Sequence, residues 1–192
     1  KEIERYFENE DREIRKHDNL DGAYNFIPFD CHDFVTDLQF VKKYLSKQNI
    51  AQYYSRKFLD VGCGPGTKVL LAKNCKFNAY GIEIDKKLCE FAKKILHENS
   101  ITNTDALTYD KYGMYDVIYY YCPINDNEKQ KKLELKIEND MKKGAILIPR
   151  LKMSLKIFDN NKFKFITKNG KLKKCDANKD RYDPMFFVKV SD

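Results

Sequence analysis

Three alternating glycines, Gly62, Gly64 and Gly66, follow an apolar run that contains Asp60 and lead into a helical segment that begins at Thr67. Glycine adopts positive φ angles without strain and lets a ligand approach the backbone closely, with the helix N-terminus behind it. The nicotinamide-dinucleotide fingerprint requires a glycine at the position of Thr67. The segment therefore predicts a ligand-binding turn of a different class.

Acidic side chains lie in two further segments of the chain. Glu83 ends the apolar run that begins at Tyr80, at the carboxyl end of an expected strand, where open α/β sheets bind ligands. Its carboxylate could accept both hydrogen bonds of a ribose diol, whereas Asp85 is placed to cap the next helix. Asp105, in the segment Asn103–Leu107, would by itself be a typical turn or cap residue.

Short apolar runs alternate with helical segments from Lys57 onward, which is typical of a parallel sheet with crossover helices. No proper helix is expected between the third and fourth strands. The expected strands are Phe58–Val61, Ala79–Ile82, Ile101–Thr104, Val117–Tyr121 and Ala145–Ile148, and the expected helices are Thr67–Lys73, Lys86–His97 and Glu128–Met141.

The two ends of the chain have different patterns. Lys1–His17 predicts a loosely amphipathic surface helix, an irregular segment is expected over Asp18–Asp33, and helical spacing follows in Phe34, Leu38, Val41, Tyr44 and Leu45. After Pro149, the runs Met153–Phe158, Phe163–Thr167 and Phe186–Val190 predict antiparallel strands, with a hairpin at Asn169-Gly170. We expect one domain with an N-terminal helical segment (1–56), a ligand-binding core (57–149) and C-terminal strands (150–192).

The glycine spacing after Asp60, together with the two acidic positions, resembles the class I S-adenosylmethionine-dependent methyltransferases over about Lys57–Pro149. The resemblance implies an α/β fold: a doubly wound, mostly parallel seven-stranded sheet with helices on both faces and an antiparallel C-terminal hairpin at the edge. It implies S-adenosylmethionine as cofactor, with Glu83 on the ribose and Asp105 on the adenine amino group. The implied cofactor-binding residues are Asp60, Gly62, Cys63, Gly64, Gly66, Glu83, Asp105, Ala106 and Tyr121.

A sulfonium methyl group is already activated, so transfer needs chiefly an acceptor held in line, and no dedicated catalytic residue is required. Tyr121 ends the fourth strand and could line an acceptor site. The following Cys122-Pro123-Ile124 departs from the Asp/Asn-Pro-Pro-Tyr/Phe of adenine and glutamine methylating relatives. Because Cys122 precedes the proline, we interpret it as a small buried residue rather than a nucleophile.

A second catalytic possibility lies ahead of the first strand, where polar residues stand among aromatics. His32 with Asp30 or Asp33 could form a general base and its orienting partner. The alternative is that Asp33 caps the following helix while His32 lies on the surface. The sequence leaves both interpretations open.

The net charge of +7 comes almost entirely from lysine, and acidic residues are interleaved with the lysines nearly everywhere. We therefore expect a small-molecule acceptor, with an RNA methyltransferase or a non-catalytic cofactor-binding subunit as alternatives. The six cysteines lack metal-ligand spacing, so no metal is expected, and we interpret them as reduced thiols. We expect a soluble, cytoplasmic protein with no membrane segment and, because it begins at Lys1, a missing native N-terminus; the oligomeric state is not indicated.

Overall fold

The computed structural model describes residues 31–47, 55–96, 98–180 and 184–192. Within these ranges eight strands form one sheet, with helices packed on both of its faces. The strands are β1 (Lys57–Val61), β2 (Asn78–Glu83), β3 (Ile101–Asn103), β4 (Val117–Tyr121), β5 (Ile146–Arg150), β6 (Phe163–Ile166), β7 (Leu172–Lys173) and β8 (Phe187–Lys189). The helices are α1 (Cys31–Lys47), α2 (Thr67–Asn74), α3 (Lys86–Ile95), α4 (Asn127–Asp140), α5 (Lys156–Asp159) and α6 (Ala177–Asp180).

The sheet order is β3-β2-β1-β4-β5-β8-β6-β7, and β1 to β5 are mutually parallel. The five predicted parallel strands are thus confirmed, and only a short 3-10 turn, Tyr112–Met114, lies between β3 and β4 as expected. β5 continues through Pro149 to Arg150, beyond its predicted end. β8 pairs only with Ile146 and Leu147, so β5 has a single neighbour at Pro149 and can accommodate the missing N–H there.

The C-terminal strands make the far edge of the sheet. β8 lies antiparallel between β5 and β6, and β6 and β7 form the hairpin predicted at Asn169-Gly170. The prediction of a strand over Met153–Phe158 is wrong. The backbone N–H groups of Met153 and Ser154 donate to the Glu134 carboxylate on α4, at 2.9 and 2.7 Å, rather than to a neighbouring strand.

Side chains of the sheet alternate between two apolar layers. The front layer packs against α1, α2 and α3, and the back layer packs against α4 and α5. Tyr119 and Tyr121 face the front and Tyr120 faces the back, as their positions in the strand predict. This alternation places Asp60 of β1 on the front side, because its neighbours Leu59 and Val61 pack in the back layer.

Helix α1 confirms the helical spacing read from Phe34 to Leu45, but it begins at Cys31, three residues earlier. Its core side chains point into the front layer, and Phe34 packs edge-on against Tyr119 with ring centroids 5.0 Å apart. A buried ion pair between Asp37 and Arg150 fixes α1 to the carboxyl end of β5. The helix therefore covers the front of the sheet beside the glycine-rich turn.

The expectations for residues 1–30, including the surface helix Lys1–His17, lie outside the described residues. Among the helices that are described, none combines the length and the apolar character needed to cross a bilayer.

Candidate functional site

The glycine-rich turn joins the carboxyl end of β1 to α2. Gly62, Gly64 and Gly66 have φ angles of 74°, 52° and 86°, in the left-handed region that favours glycine. The amides of Gly62 and Cys63 both donate to the carbonyl of Ile82 in β2, at 2.9 and 3.0 Å. The turn is thus bound to the neighbouring strand, and its glycines are required by the backbone conformation.

Gly62 also lets two loops meet at the carboxyl edge of the sheet. A Cβ atom at this position would lie 2.4 Å from Cβ of Pro123, which follows β4. Gly81 has a comparable role beneath the turn, since a Cβ there would lie 2.6 Å from Sγ of Cys63. No role is predicted for Pro123 or Gly81 from the sequence, because their importance depends on contacts between strands.

Glu83, at the end of β2, is 7% exposed and binds backbone amides with both carboxylate oxygens. Oε2 accepts from Gly64 N at 2.8 Å, and Oε1 accepts from the amides of Ile84 and Asp85 at 2.8 and 3.0 Å. Asp85 caps α3 as predicted, accepting from Lys87 N and Leu88 N. The Glu83 carboxylate is therefore held in place at the edge before any ligand arrives.

Asp60 is only 2% exposed, and its Oδ2 has no hydrogen-bond partner in the described part of the chain. Burial raises the pKa of this carboxyl to about 6; Lys68 lowers it and Glu83 raises it, both through charge. The hydroxyl of Thr67, the first residue of α2, is a second buried polar atom without a hydrogen-bond partner there. Two polar groups beside the turn thus remain available for a ligand.

Asp105 and Ala106 follow β3 along the same edge. Oδ1 of Asp105 accepts from Leu107 N at 2.8 Å, and its carbonyl accepts from Thr108 and Tyr109, which makes it a turn residue. The Ala106 carbonyl accepts from the hydroxyl of Tyr112 at 2.7 Å. The second oxygen of Asp105 takes no part in these bonds, so the turn leaves the half-buried carboxylate able to accept from a ligand.

The ends of β4 and β5 contain two residues with unusual backbone conformations. Cys122 has a φ of 38° and Leu151 a φ of 52°, each directly after its strand, and Tyr121 pairs in register with Arg150 between them. Tyr121 is half-buried on the front side, whereas Leu151 is 47% exposed. Positive φ in non-glycine residues is costly and clusters at functional sites, so this edge is a candidate acceptor region.

A family described as a methyltransferase domain matches residues 55–186, which is more than half of the chain. The chain belongs to this methyltransferase family. The resemblance to class I S-adenosylmethionine-dependent methyltransferases is thereby confirmed, as are, at the level of the family, the predictions of an enzyme and of S-adenosylmethionine as its cofactor. No curated protein sequence matches the chain.

Solved structures resemble this methyltransferase to a limited extent. They include DesVI from Streptomyces venezuelae (15% identity, 61% of this chain and 50% of that chain, TM-score 0.47). SAM-bound CalS10, an amino pentose methyltransferase from Micromonospora echinaspora, is 17% identical over 69% of this chain and 58% of that one, with a TM-score of 0.49. This chain thus spans only about half the length of each, and similarity at this level says nothing about its acceptor.

The structure of the methyltransferase fits its cofactor at several independent points. Asp60 Oδ2 and the Thr67 hydroxyl are buried without hydrogen-bond partners in the described part of the chain, and the glycine turn presents bare backbone beside them. Ile84, directly after Glu83, is 56% exposed and offers an apolar surface at the same edge. No role was predicted for it from the sequence. A ligand with a cationic group, a polar ribose and an apolar ring would match this arrangement.

A buried polar network, also missed from the sequence, holds the loops after β4 and β5. Glu134 of α4 is fully buried and accepts from Gln130 Nε2 and Lys152 Nζ, each at 3.0 Å, besides the two amides described above. Gln130 in turn accepts from the amide of Ile124, at 3.1 Å. Polar residues spaced i, i+4, such as Gln130 and Glu134, are typical of the exposed face of a helix. The sequence around them therefore did not indicate a buried network.

His32 and Asp33 are exposed in the first turn of α1, and Asp30 lies outside the described residues. Because α1 begins at Cys31, Asp33 lies inside the helix rather than at its N-cap; a carboxylate there is favourable to the helix dipole. That His32 acts as a general base oriented by Asp30 or Asp33 stays a prediction. Among the described residues, no group of three or more potential ligands could hold a metal ion.

We expect Gly62→Ala to destabilise the methyltransferase by about 1–3 kcal/mol, because it adds both left-handed strain and a collision with Pro123. Gly144→Ala is the matched control: φ there is 82°, but a Cβ would meet nothing within 4 Å. Urea unfolding of both variants separates the two contributions. Equal losses of stability would show that the contact between the loops is not tight.

Proposed function

We propose that this chain binds S-adenosylmethionine at the carboxyl edge of β1, β2 and β3 and transfers its methyl group to a small-molecule acceptor. The observation that carries the proposal is Asp60, a buried carboxyl whose Oδ2 lacks a hydrogen-bond partner among the described residues, beside the glycine turn. Its ionised form would pair with the cofactor's α-ammonium group. Bound there, S-adenosylmethionine would supply an activated methyl group on sulfur.

Glu83 is proposed to accept the two ribose hydroxyl hydrogens. Oε1 already accepts from two backbone amides and Oε2 from one, so the ribose hydroxyls would share these oxygens with the amides that orient them. Asp105 is proposed to accept from the adenine amino group while the backbone at Ala106 meets the ring. The side chain of Ile84 would cover one face of the adenine. Cys63, Gly62, Gly64 and Gly66 would contribute backbone alone.

The acceptor is proposed to lie on the front side, beyond the ends of β4 and β5. Tyr121 would line this space and orient the acceptor, and Leu151 would add an apolar wall. Burial raises the pKa of the Cys63 thiol well above its usual range, which keeps it protonated and unsuited to attack. No residue of this edge needs to act as a base unless the acceptor atom carries a proton.

Transfer is tested with methyl-tritiated S-adenosylmethionine and a cell extract separated into small metabolites, RNA and protein. We expect label in the metabolite fraction with the wild-type chain and none with an Asp60→Asn chain. Label in RNA instead would replace the small-molecule acceptor with the RNA alternative. If no fraction gains label although the cofactor binds, the non-catalytic subunit becomes the better description. The proposed setting is the cytoplasm, where the six thiols would stay reduced.

We expect Gly64→Val to abolish cofactor binding. The φ of 52° at Gly64 is costly for a β-branched residue, and the added side chain would occupy the space where the ligand meets the backbone. The Gly64 amide also fixes Glu83, so the ribose site would be disturbed as well. Calorimetric titration with S-adenosylhomocysteine measures the loss, and binding as tight as that of the wild type would contradict the placement of the ligand.

A further inference from the structure

Lysines are concentrated at the far edge of the sheet, on the β6–β7 hairpin. Residues 160–175 contain six lysines and no acidic residue. Within the described ranges only Lys173 of these six forms an ion pair, with Asp180. The other five are all exposed: Lys162, Lys164, Lys168, Lys171 and Lys174.

The C-terminal end of α1 extends this surface. Tyr44 and Lys47 approach the hairpin turn, since a Cβ on Gly170 would lie 4.0 Å from the ring of Tyr44 and 3.9 Å from Nζ of Lys47. Residues 38–47 add three lysines and again no acidic residue. We call the exposed lysines Lys47, Lys164, Lys168, Lys171 and Lys174 the lysine surface.

The lysine surface reaches the same edge of the sheet as the proposed cofactor site. β8 is antiparallel to both β5 and β6, so β6 runs parallel to β5 and ends at the carboxyl edge. The turn that carries Lys168 and Lys171 therefore lies along that edge, three strands from β4. A long ligand could contact the turn and extend toward the ends of the central strands.

The positions of two lysines on the hairpin are unfavourable for folding alone. Phe165 pairs with Lys173, the last residue of β7, so Lys164 and Lys174 both lie at the open end of the hairpin, next to this pair. Like charges at neighbouring positions of a hairpin repel each other, which is unfavourable for folding. Lysines kept in such an arrangement indicate an anionic partner that offsets their repulsion.

We propose that the lysine surface binds the phosphate backbone of a single-stranded nucleic acid. Lysine is depleted at protein–protein interfaces, which disfavours an acidic protein, and a membrane surface would require more apolar side chains than the one exposed leucine here, Leu172. A flexible strand can bend to follow lysines on a helix end, a turn and a strand more easily than a duplex, whose persistence length is about 150 base pairs. Without arginine the surface holds phosphates but does not read bases.

This docking goes beyond the proposed methyl transfer and does not depend on it, because none of these lysines belongs to the proposed cofactor site. Binding of S-adenosylhomocysteine and binding of nucleic acid can therefore fail independently. If the cofactor does not bind but the strand does, only the proposed function falls.

The test is fluorescence anisotropy with labelled single-stranded RNA and DNA of mixed sequence, about 20 nucleotides long, from about 50 to 300 mM salt. Five phosphate contacts predict a slope of log affinity against log salt of about −3.5, with similar affinity for RNA and DNA. The variant K164E/K171E/K174E is expected to bind at least about tenfold more weakly, with a slope of about −1.4 from the two remaining contacts. The single variant K174E, used alongside it, should not lower the Tm, because the carboxylate that it introduces would attract Lys164.

The matched control is K94E/K132E/K143E, which makes the same change in net charge, from +7 to +1, on exposed lysines away from the hairpin. It is expected to keep most of the affinity, and both triple variants should bind S-adenosylhomocysteine like the wild type. Equal loss in both triple variants would mean diffuse charge rather than a surface. Absence of binding to either strand at the lowest salt, or binding only to phosphatidylserine vesicles, would overturn the proposal.

Discussion

Replacing Asp60 with asparagine is expected to raise the free energy of unfolding at pH 8 by about 3 kcal/mol while removing cofactor affinity. The pKa of this carboxyl is raised from 3.8 to about 6 in the fold. A difference of one in pKa corresponds to about 1.36 kcal/mol, so ionising Asp60 costs about 3 kcal/mol more in the folded chain than in the unfolded chain. The wild type loses this amount of stability as the pH rises from about 4 through 6, because Asp60 ionises at lower pH in the unfolded chain than in the folded chain. The loss levels off at about pH 7, where Asp60 is ionised in the folded chain as well.

The pH dependence provides the control for this variant. At about pH 3 and below, Asp60 is largely protonated in both states and nearly isosteric with asparagine, so the two proteins should unfold at the same urea concentration. At pH 8 the variant should be clearly more stable. A variant that is less stable at pH 8 would mean that Asp60 is paired in the fold and not poised for a ligand.

The same substitution removes the proposed partner of the cofactor's ammonium group. Losing one member of a buried charge pair costs about 2–5 kcal/mol, or at least about 30-fold in affinity. Wild-type affinity should also fall about tenfold between pH 7 and pH 5, as Asp60 becomes protonated. The ionised Asp60 carboxylate therefore lowers the stability of the fold and raises its affinity for the cofactor. Urea unfolding and calorimetric titration at several pH values measure the two effects.

Glu83→Ala is expected to weaken cofactor binding by about 100-fold or more and to lower stability by at least about 2 kcal/mol. The affinity falls because two charge-assisted ribose bonds are lost, each worth about 1.5–3 kcal/mol. Stability falls because the amides of Gly64 and Asp85 lose their acceptor in a buried setting. Calorimetry and urea unfolding measure the two effects separately.

Two further variants define what Glu83 does. Glu83→Gln keeps one oxygen for the amides of Ile84 and Asp85 but turns an N–H₂ group toward the Gly64 amide, so it should lose affinity with a smaller loss of stability. Glu90→Ala, on the exposed side of α3, should change neither quantity appreciably. Full affinity in Glu83→Ala would remove Glu83 from the ribose site.

Local sequence patterns predicted the parallel half of the fold because each strand and helix there has its own periodicity. The glycine turn, the Asp85 cap and the alternating tyrosines of β4 all follow from spacing within a few residues. Met153–Phe158 was predicted wrongly for the converse reason. Its apolar residues resemble a strand, but its amides bond to Glu134, 19 and 20 residues earlier, which no local pattern indicates.

The candidate site, too, could be predicted only in part from the sequence. Glu83 was predicted from its position at a strand end and Asp60 from the resemblance of the glycine motif that follows it. The orphaned oxygen of Asp60 was not predicted, because it depends on what surrounds the carboxylate in three dimensions. The contact of Gly62 with Pro123 joins residues 61 positions apart, and Asp37 pairs with Arg150 across 113 positions. Such contacts form only when α1, β1, β4 and β5 pack together, so neither segment alone predicts them.

The most direct test of the central claim is calorimetric titration of the chain with S-adenosylhomocysteine at pH 7.5, beside NAD as a control. We predict one site per chain with a dissociation constant in the micromolar range, and no heat with NAD. Binding that is equally tight in Asp60→Asn, or no binding of S-adenosylhomocysteine up to millimolar concentration, would contradict the proposed cofactor site.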